Sequence, residues 1–118
     1  MRQISINRRS NRVLYNVTIN VDSLKYADWL RFMTENHIPK IFSSNCFESY
    51  RICRIIGEEA GGIAVAVQYV AFSKESLETY NTQFAPQLQA EHQALFGNST
   101  AAFRTNLQIL EEGHLVED

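Results

Sequence analysis

The sequence contains few of the features that would place it in a specialised class of protein. Its 118 residues include two cysteines, two prolines and one tryptophan, and its net charge at pH 7 is -2, from 11 basic and 13 acidic side chains. Two cysteines are too few for a disulfide-stabilised scaffold. Without an excess of positive charge the chain does not attract polyanions, so we expect neither nucleic acid nor a membrane as a partner.

Long apolar runs and ligand motifs are also missing. No apolar run approaches the ~20 residues of a membrane-spanning helix, and the first residues lack the layout of a secretory signal, so we expect a cytoplasmic location. Cys46 and Cys53 fall on one predicted strand, where a rise of ~3.3 Å per residue places them roughly 23 Å apart, too far for a disulfide. Without zinc-ligand spacings or a phosphate-binding glycine loop, we expect neither metal nor cofactor.

The most informative stretch is a long hairpin. Two runs rich in isoleucine, valine, tyrosine and phenylalanine extend over residues 46–72 and are joined by GEEAGG at residues 57–62. Both alternating faces of each run carry apolar residues. This pattern predicts two paired strands in a sheet that is covered on both sides.

Residues 13–21 and 100–110 also alternate in the manner of strands. We expect the odd-numbered residues of both segments to face the helices. The segments bound a single domain over residues 13–110, a length that can bury its own core. Residues 1–12, which hold four arginines and no acidic residue, predict a flexible basic arm, and residues 111–118 predict an acidic tail without packing.

A first helix is predicted between the first strand and the hairpin. It is capped by Asp22 or Ser23, runs to about Ile38 and is ended by Pro39, which offers no backbone N–H. Its buried face carries Trp29 and His37.

A second helix is predicted over residues 74–96, with Ser73 as its N-cap and Gly97 and Asn98 as a left-handed C-cap. Pro86 lies inside it and predicts a kink or a division into two helices. The apolar stripe of this helix comprises Leu77, Tyr80, Phe84, Leu88 and Leu95.

The order strand, helix, strand, strand, helix, strand predicts an α+β fold of the ferredoxin-like βαββαβ type. Its antiparallel sheet has four strands in the order 4-1-3-2 and carries both helices on one face. The opposite face mixes polar and apolar residues, and strand two is a long, unprotected edge. We therefore expect a homodimer that associates through the free sheet face and the edge strand, as in a dimeric α+β barrel.

Several motifs resemble a known family. They are LYNVTINVD at 14–22, HIP at 37–39, FESYRICRIIGE at 47–58, AVQY at 66–69, FAPQLQAEH at 84–92 and AFRT at 102–105. In this order they resemble the bacterial domain of unknown function family 4286. The resemblance implies a fold similar to the dimeric α+β barrel superfamily, but no activity. Related barrel families include cofactor-independent monooxygenases, isomerase-like enzymes and non-catalytic ligand-sensing domains, so fold alone does not decide the function.

His37 is the first candidate for chemistry, because it falls on the buried face of the first helix. Such an imidazole is either a general base or ligand donor, or a structural group bonded to a backbone carbonyl. Glu91 projects near the apolar stripe of the second helix, where it is either an acid or base beside His37 or a rim residue paired with an arginine. His92 is a ligand-binding candidate at the edge of that stripe, and the three residues match no known metal motif.

Aromatic and polar positions supply the other ligand-binding candidates. Trp29, Tyr50 and Tyr69 either line a pocket between helices and sheet or belong to the core. A polar set on the sheet face away from the helices would hold an anionic ligand or form a hydrogen-bonded subunit interface. Its members are Asn16, Arg51, Gln68, Arg104 and Asn106.

Two hypotheses follow. The first is a non-catalytic or small-molecule-binding homodimer. The second is a cofactor-poor, monooxygenase- or isomerase-like enzyme that acts on a small hydrophobic substrate in the helix–sheet pocket, with His37 and Glu91 handling protons. The hypotheses differ in whether a cavity reaches His37 or a packed core leaves none.

Overall fold

The computed structural model describes residues 3–8, 10–57 and 61–117, and these residues form six strands and two helical arms. The strands are β1 (Ile4–Asn7), β2 (Val13–Val21), β3 (Phe47–Arg54), β4 (Ile63–Ala71), β5 (Thr100–Gln108) and β6 (Glu112–Leu115). Of the segments discussed above, Met1, Arg2, Arg9, residues 58–60 and Asp118 lie outside the described part.

Four of the strands form one antiparallel sheet. Its order is β3-β4-β2-β5, and β1 and β6 pair separately as a two-stranded ribbon. Counting only the four sheet strands along the chain, the order from the opposite edge is 4-1-3-2. The predicted hairpin is confirmed as the pair of β3 and β4, with an irregularity between Phe47 and Ser49.

The first helical arm is longer than the sequence predicts. It contains α1 (Tyr26–Phe32), a π-helical turn over Met33–His37, and α2 (Ile38–Phe42). The prediction that Pro39 ends the helix is wrong. In the wider π turn the N–H of Ile38 bonds the carbonyl five residues earlier, and such a turn accommodates the proline ring and its missing donor, so that the helix continues.

The second helical arm divides where the sequence indicates. It consists of α3 (Lys74–Gln83) and α4 (Ala85–Phe96), with Pro86 in the first turn of α4. The predicted cap is also confirmed, because the Ser73 hydroxyl accepts a bond of 3.0 Å from the N–H of Ser76. The left-handed cap is wrong, since Gly97 has a φ of -59°. None of the described helices has the length and apolar character needed to cross a membrane.

Both helical arms cover the same face of the sheet. The sheet contributes Val13, Tyr15, Ile19, Val21, Phe47, Val65, Val67, Tyr69 and Ala71 to the core, and the helices contribute Trp29, Met33, Ile38, Ile41, Leu77, Tyr80, Ala85, Leu88 and Phe96. Because β2 and β4 bury their odd-numbered residues, the odd face of β2 is the helix side, as predicted. Eight of the nine residues of β5 are exposed, so the helices leave this strand uncovered.

The facing of β5 corrects another prediction. Val17 lies opposite Arg104, and Thr18 lies opposite Phe103. Since directly opposite residues of an antiparallel pair project to the same face, the even-numbered residues of β5 face the helices. Arg104 and Asn106 are therefore on the helix side, not on the free face. Phe103 instead projects from the free face of the sheet.

The two termini are not the unpacked tails that the sequence predicts. β1 pairs with β6 in an antiparallel ribbon. Arg8 and Glu111 form an ion pair of 2.6 Å, while Arg12 bonds Glu48 at 2.6 Å and also pairs with Glu112. Backbone pairing and opposite charges hold the arm and the tail together, although exposed ion pairs of this kind each contribute little stability.

Candidate functional site

A cleft of about 450 Å³ lies between the helical arms and the sheet. Its open side is formed by α4, with Ala90 and Gln93, and by β5, with Ala102 and Arg104. The cleft exists because none of the described helices covers the helix-side face of β5. The same gap exposes part of the core to a molecule of ligand size.

The floor of the cleft is aromatic. Tyr15, Trp29, Tyr69 and Tyr80 line it, and each is at most 4% exposed. The ring centre of Tyr15 lies 5.8 Å from that of Tyr69 and 6.1 Å from that of Tyr80. Burial raises the pKa of all three tyrosines, so their hydroxyls stay protonated and neutral at physiological pH.

His37 lines the inner part of the cleft, where the π turn places it. It is 8% exposed, and its Nδ1 has no hydrogen-bond partner among the residues that the structure describes. Burial, and secondarily the nearby His92, lower the pKa of His37 to about 4, while Glu91 acts in the opposite direction. The imidazole is therefore neutral at physiological pH, and its Nδ1 can still accept a hydrogen bond from a molecule in the cleft or donate one to it.

His92 comes from α4 and meets the first helical arm. The indole N–H of Trp29 donates to Nε2 of His92 at 3.0 Å, so the proton of the neutral His92 ring is on Nδ1. Burial, and secondarily Arg104, lower the pKa of His92. Its ring centre lies 5.7 Å from that of His37 and 6.2 Å from that of Phe32. Trp29 thus fixes the orientation of one histidine beside the other.

Arg104 lies at the mouth of the cleft. Its Nε donates to the hydroxyl of Tyr15 at 2.9 Å, which directs the guanidinium toward the aromatic floor. This residue was predicted on the free face of the sheet. The register of β5 against β2 brings it into the cleft instead.

The predicted site residues that do not line the cleft are Glu91, Tyr50, Arg51, Gln68, Asn16 and Asn106. Glu91 forms an ion pair of 3.1 Å with Lys40 and does not line the cleft. It does not follow the buried stripe of α4, which runs through Leu88 and Phe96 and brings His92 inward, while Leu95 is 63% exposed. Glu91 is therefore a residue at the rim that is paired with a basic side chain, although its partner is a lysine and not an arginine.

Tyr50 is also outside, because it packs edge-on against Phe42, with ring centres 5.4 Å apart, and is 47% exposed.

Arg51 and Gln68 lie on the free face of the sheet. They are opposite each other in the pairing of β3 with β4. Gln68 donates to Asn16 at 3.3 Å, and Asn16 donates to Thr18 at 2.9 Å. This short polar chain belongs to the face expected to meet another subunit, and it does not reach the cleft.

Tyr15, Tyr80 and Gln89 also line the cleft, although their positions in the sequence do not mark them as site residues. Both tyrosines fall on faces that the periodicity assigns to the core, and only the gap beside β5 turns these core positions into a binding surface. Within residues 3–8, 10–57 and 61–117, no cluster of three or more histidine, cysteine or acidic side chains could hold a metal ion.

Comparison with known proteins places the fold and the family. The profile of the family described as Domain of unknown function (DUF4286) matches residues 12–110. None of the curated proteins compared with the chain matches it.

Solved structures with similar folds share little sequence with the chain. A dimeric ferredoxin-like protein from an uncultured marine organism has a TM-score of 0.65 and 9% identity, covering 86% of this chain and 97% of its own. SnoaB, a cofactor-independent oxygenase from Streptomyces nogalater, has a TM-score of 0.62 and 10% identity, covering 85% and 94%. An ethyl tert-butyl ether d (ethd) family protein from Bacillus halodurans has a TM-score of 0.59 and 11% identity, covering 79% and 96%. At sequence identities of 9–11%, the similarity to these structures shows a shared fold alone.

Proposed function

Because the chain belongs to the DUF4286 family, whose description names no activity, we propose its function from the cleft: the protein is a homodimer that binds a small, mainly apolar molecule between its helices and its sheet. Residues 13–110 form the binding domain in this proposal. Cys46 and Cys53 are free thiols, which is consistent with a reducing compartment such as the cytoplasm.

One observation carries the proposal: the cleft reaches His37, whose Nδ1 is buried without a partner in the described part of the chain. A buried polar atom without a hydrogen bond costs about 1–3 kcal/mol. A packed core with a structural histidine would have supplied a backbone partner. The aromatic floor and the neutral imidazole are the combination expected of a site for an apolar ligand with one or two polar atoms.

Binding can be measured with the single tryptophan, because Trp29 lines the cleft and reports on its occupancy. We expect 4-methylphenol to change the fluorescence of Trp29 in a saturable manner. Ala102→Phe, which fills the cleft from β5, should weaken this binding at least tenfold. Ala94→Phe, on an exposed position of α4 away from the cleft, should leave it unchanged. Equal affinity in all three proteins would place the ligand elsewhere and refute the proposal.

A second candidate function is a cofactor-poor enzyme of the monooxygenase or isomerase type. The neutral, unpaired His37 supports it, since such an imidazole can accept a proton from a bound substrate. SnoaB, whose fold is similar, is a cofactor-independent oxygenase. Glu91 is engaged with Lys40, so His37 and His92 would be the proton-handling pair in this chain. Turnover that is lost in His37→Gln while binding is kept would favour this function over simple binding.

The free face of the sheet supports the homodimer. Phe103 and Leu107 project from it and are 63% and 46% exposed. Four strands about 4.8 Å apart, with nine residues of about 3.3 Å each in β2, present a face of roughly 600 Å². This is close to the ~800 Å² that each partner buries in a standard interface. The exposed edge strand β3 adjoins this face and extends the surface available to a second copy.

Light scattering tests the dimer at micromolar concentration, where two chains of 13.5 kDa are expected to associate. Phe103→Asp should give the mass of one chain, because it places a charge among the exposed apolar side chains that β5 contributes to the proposed interface. Leu95→Asp is the matched control, since Leu95 is equally exposed but lies on α4. A monomeric wild-type protein, or a dimer unaffected by Phe103→Asp, would overturn the face-to-face arrangement.

A further inference from the structure

The side chains that line the cleft carry charge of one sign. Of the residues that line it, Arg104 is the one with a permanent charge, and no aspartate, glutamate or lysine is among them. His37 and His92 are neutral because burial lowers the pKa of both. Within the described part of the chain, the cleft is therefore an aromatic surface with a single positive charge at its mouth.

Arg104 has no acidic partner among the described residues. Its one hydrogen bond is the donation from Nε to the Tyr15 hydroxyl, which leaves its two terminal amino groups free. Other arginines are used differently, since Arg8 and Arg12 pair with glutamates of the tail and of β3. A planar guanidinium with two free amino groups matches the two oxygens of a carboxylate.

The floor beneath this charge suits a flat ring. Tyr15, Tyr69 and Tyr80 are packed with their rings tilted against each other, and Trp29 closes the inner side. Aromatic side chains favour offset or edge contacts with a further ring. The hydroxyl of Tyr15 anchors the guanidinium at the border between this floor and solvent, so that a ring and an anionic group fit side by side.

We propose that the cleft selects planar aromatic monoanions, whose carboxylate pairs with the guanidinium of Arg104 and whose ring lies over the tyrosine floor. This proposal rests on the proposed small-molecule function. Cationic compounds of the same size bind more weakly, because no acidic side chain lines the cleft and Arg104 repels them. Neutral compounds bind through the floor alone.

Three compounds that differ in one group test this selection through the fluorescence of Trp29. They are 4-hydroxyphenylacetate, its neutral amide 4-hydroxyphenylacetamide, and the cation tyramine. We expect the anion to bind about tenfold more tightly than the amide, which corresponds to one charge-assisted contact at an exposed mouth, and tyramine more weakly than both. Equal binding of all three would refute the selection while leaving the cleft as a binding site. No binding of any of them or of 4-methylphenol would refute both proposals.

Variants separate the charge of Arg104 from its structural role. Arg104→Met should lower the affinity for the anion about tenfold and leave that for the amide unchanged, whereas Arg104→Lys should restore most of the preference. Tyr15→Phe removes the hydrogen bond but keeps the guanidinium, so the preference for the anion should remain. Arg31→Met, on the exposed side of α1, is the control. If Arg104→Met weakens the anion and the amide equally, Arg104 shapes the cleft and does not select charge.

Discussion

The unpaired His37 makes the stability of the fold depend on pH. The ordinary pKa of histidine is 6.5, and burial lowers that of His37 to about 4. Between these two values the unfolded chain binds a proton that the folded protein does not bind, so the free energy of unfolding decreases as the pH falls. With about 1.4 kcal/mol per pKa unit, the contribution lost between pH 7 and pH 4 is about 3 kcal/mol. Below pH 4 the dependence on His37 ends, because both states are then protonated.

Unfolding in urea is monitored by far-UV circular dichroism for the wild-type protein and for His37→Leu. Both proteins are measured at several pH values and at one protein concentration. Acidic groups and His92 affect both proteins, so the difference between them isolates His37. We expect the wild-type protein to lose about 3 kcal/mol more than the variant between pH 7 and pH 4. His114→Gln, on the exposed strand β6, should behave as the wild-type protein does. Parallel pH profiles for wild type and His37→Leu would show that His37 is solvated or paired in solution.

Two further predictions concern local structure. Gly62→Ala should destabilise the fold by about 2 kcal/mol or more, because φ is 148° and a Cβ would lie 2.6 Å from Oδ1 of Asn20. Gly61→Ala should cost about 1 kcal/mol, because φ is 80° but the Cβ would meet open space. Equal melting temperatures of the two variants would contradict this ranking. Ser73→Ala should cost about 1 kcal/mol of stability by removing the cap of α3, and Ser23→Ala, at an exposed position, is its control. A change in the free energy of unfolding that is smaller than the error of urea unfolding would mean that the cap bond is not maintained in solution.

The elements that the sequence predicts best depend on local chemistry. The alternation of residues 13–21 predicts β2 with its correct bounds, because one face of this strand is buried along most of its length. Ser73 and Pro86 predict the start and the division of the second helical arm, since a hydroxyl cap and a missing N–H act within one helical turn. Pro39 shows the limit of such signals, because a π turn can absorb a proline without ending the helix.

The candidate site is only partly predictable. Trp29, Tyr69, His37 and His92 line the cleft, as their positions on buried faces indicate, whereas Glu91 does not. The rotation of α4 about its own axis determines whether His92 or Glu91 faces the cleft. The break before Pro86 sets this rotation, which the periodicity of a continuous helix does not predict.

By itself, the sequence determined the four strands of the larger sheet, the two helical arms, the absence of a disulfide framework and the presence of a histidine on a buried face. Only the tertiary structure decided that Arg104 belongs to the cleft, that the termini pair, and that β5 is left uncovered. The physical reason is that a period of two shows which residues share a face but not which face it is. That choice is made by the register of backbone hydrogen bonds with a distant strand, and a shift of one residue reverses it.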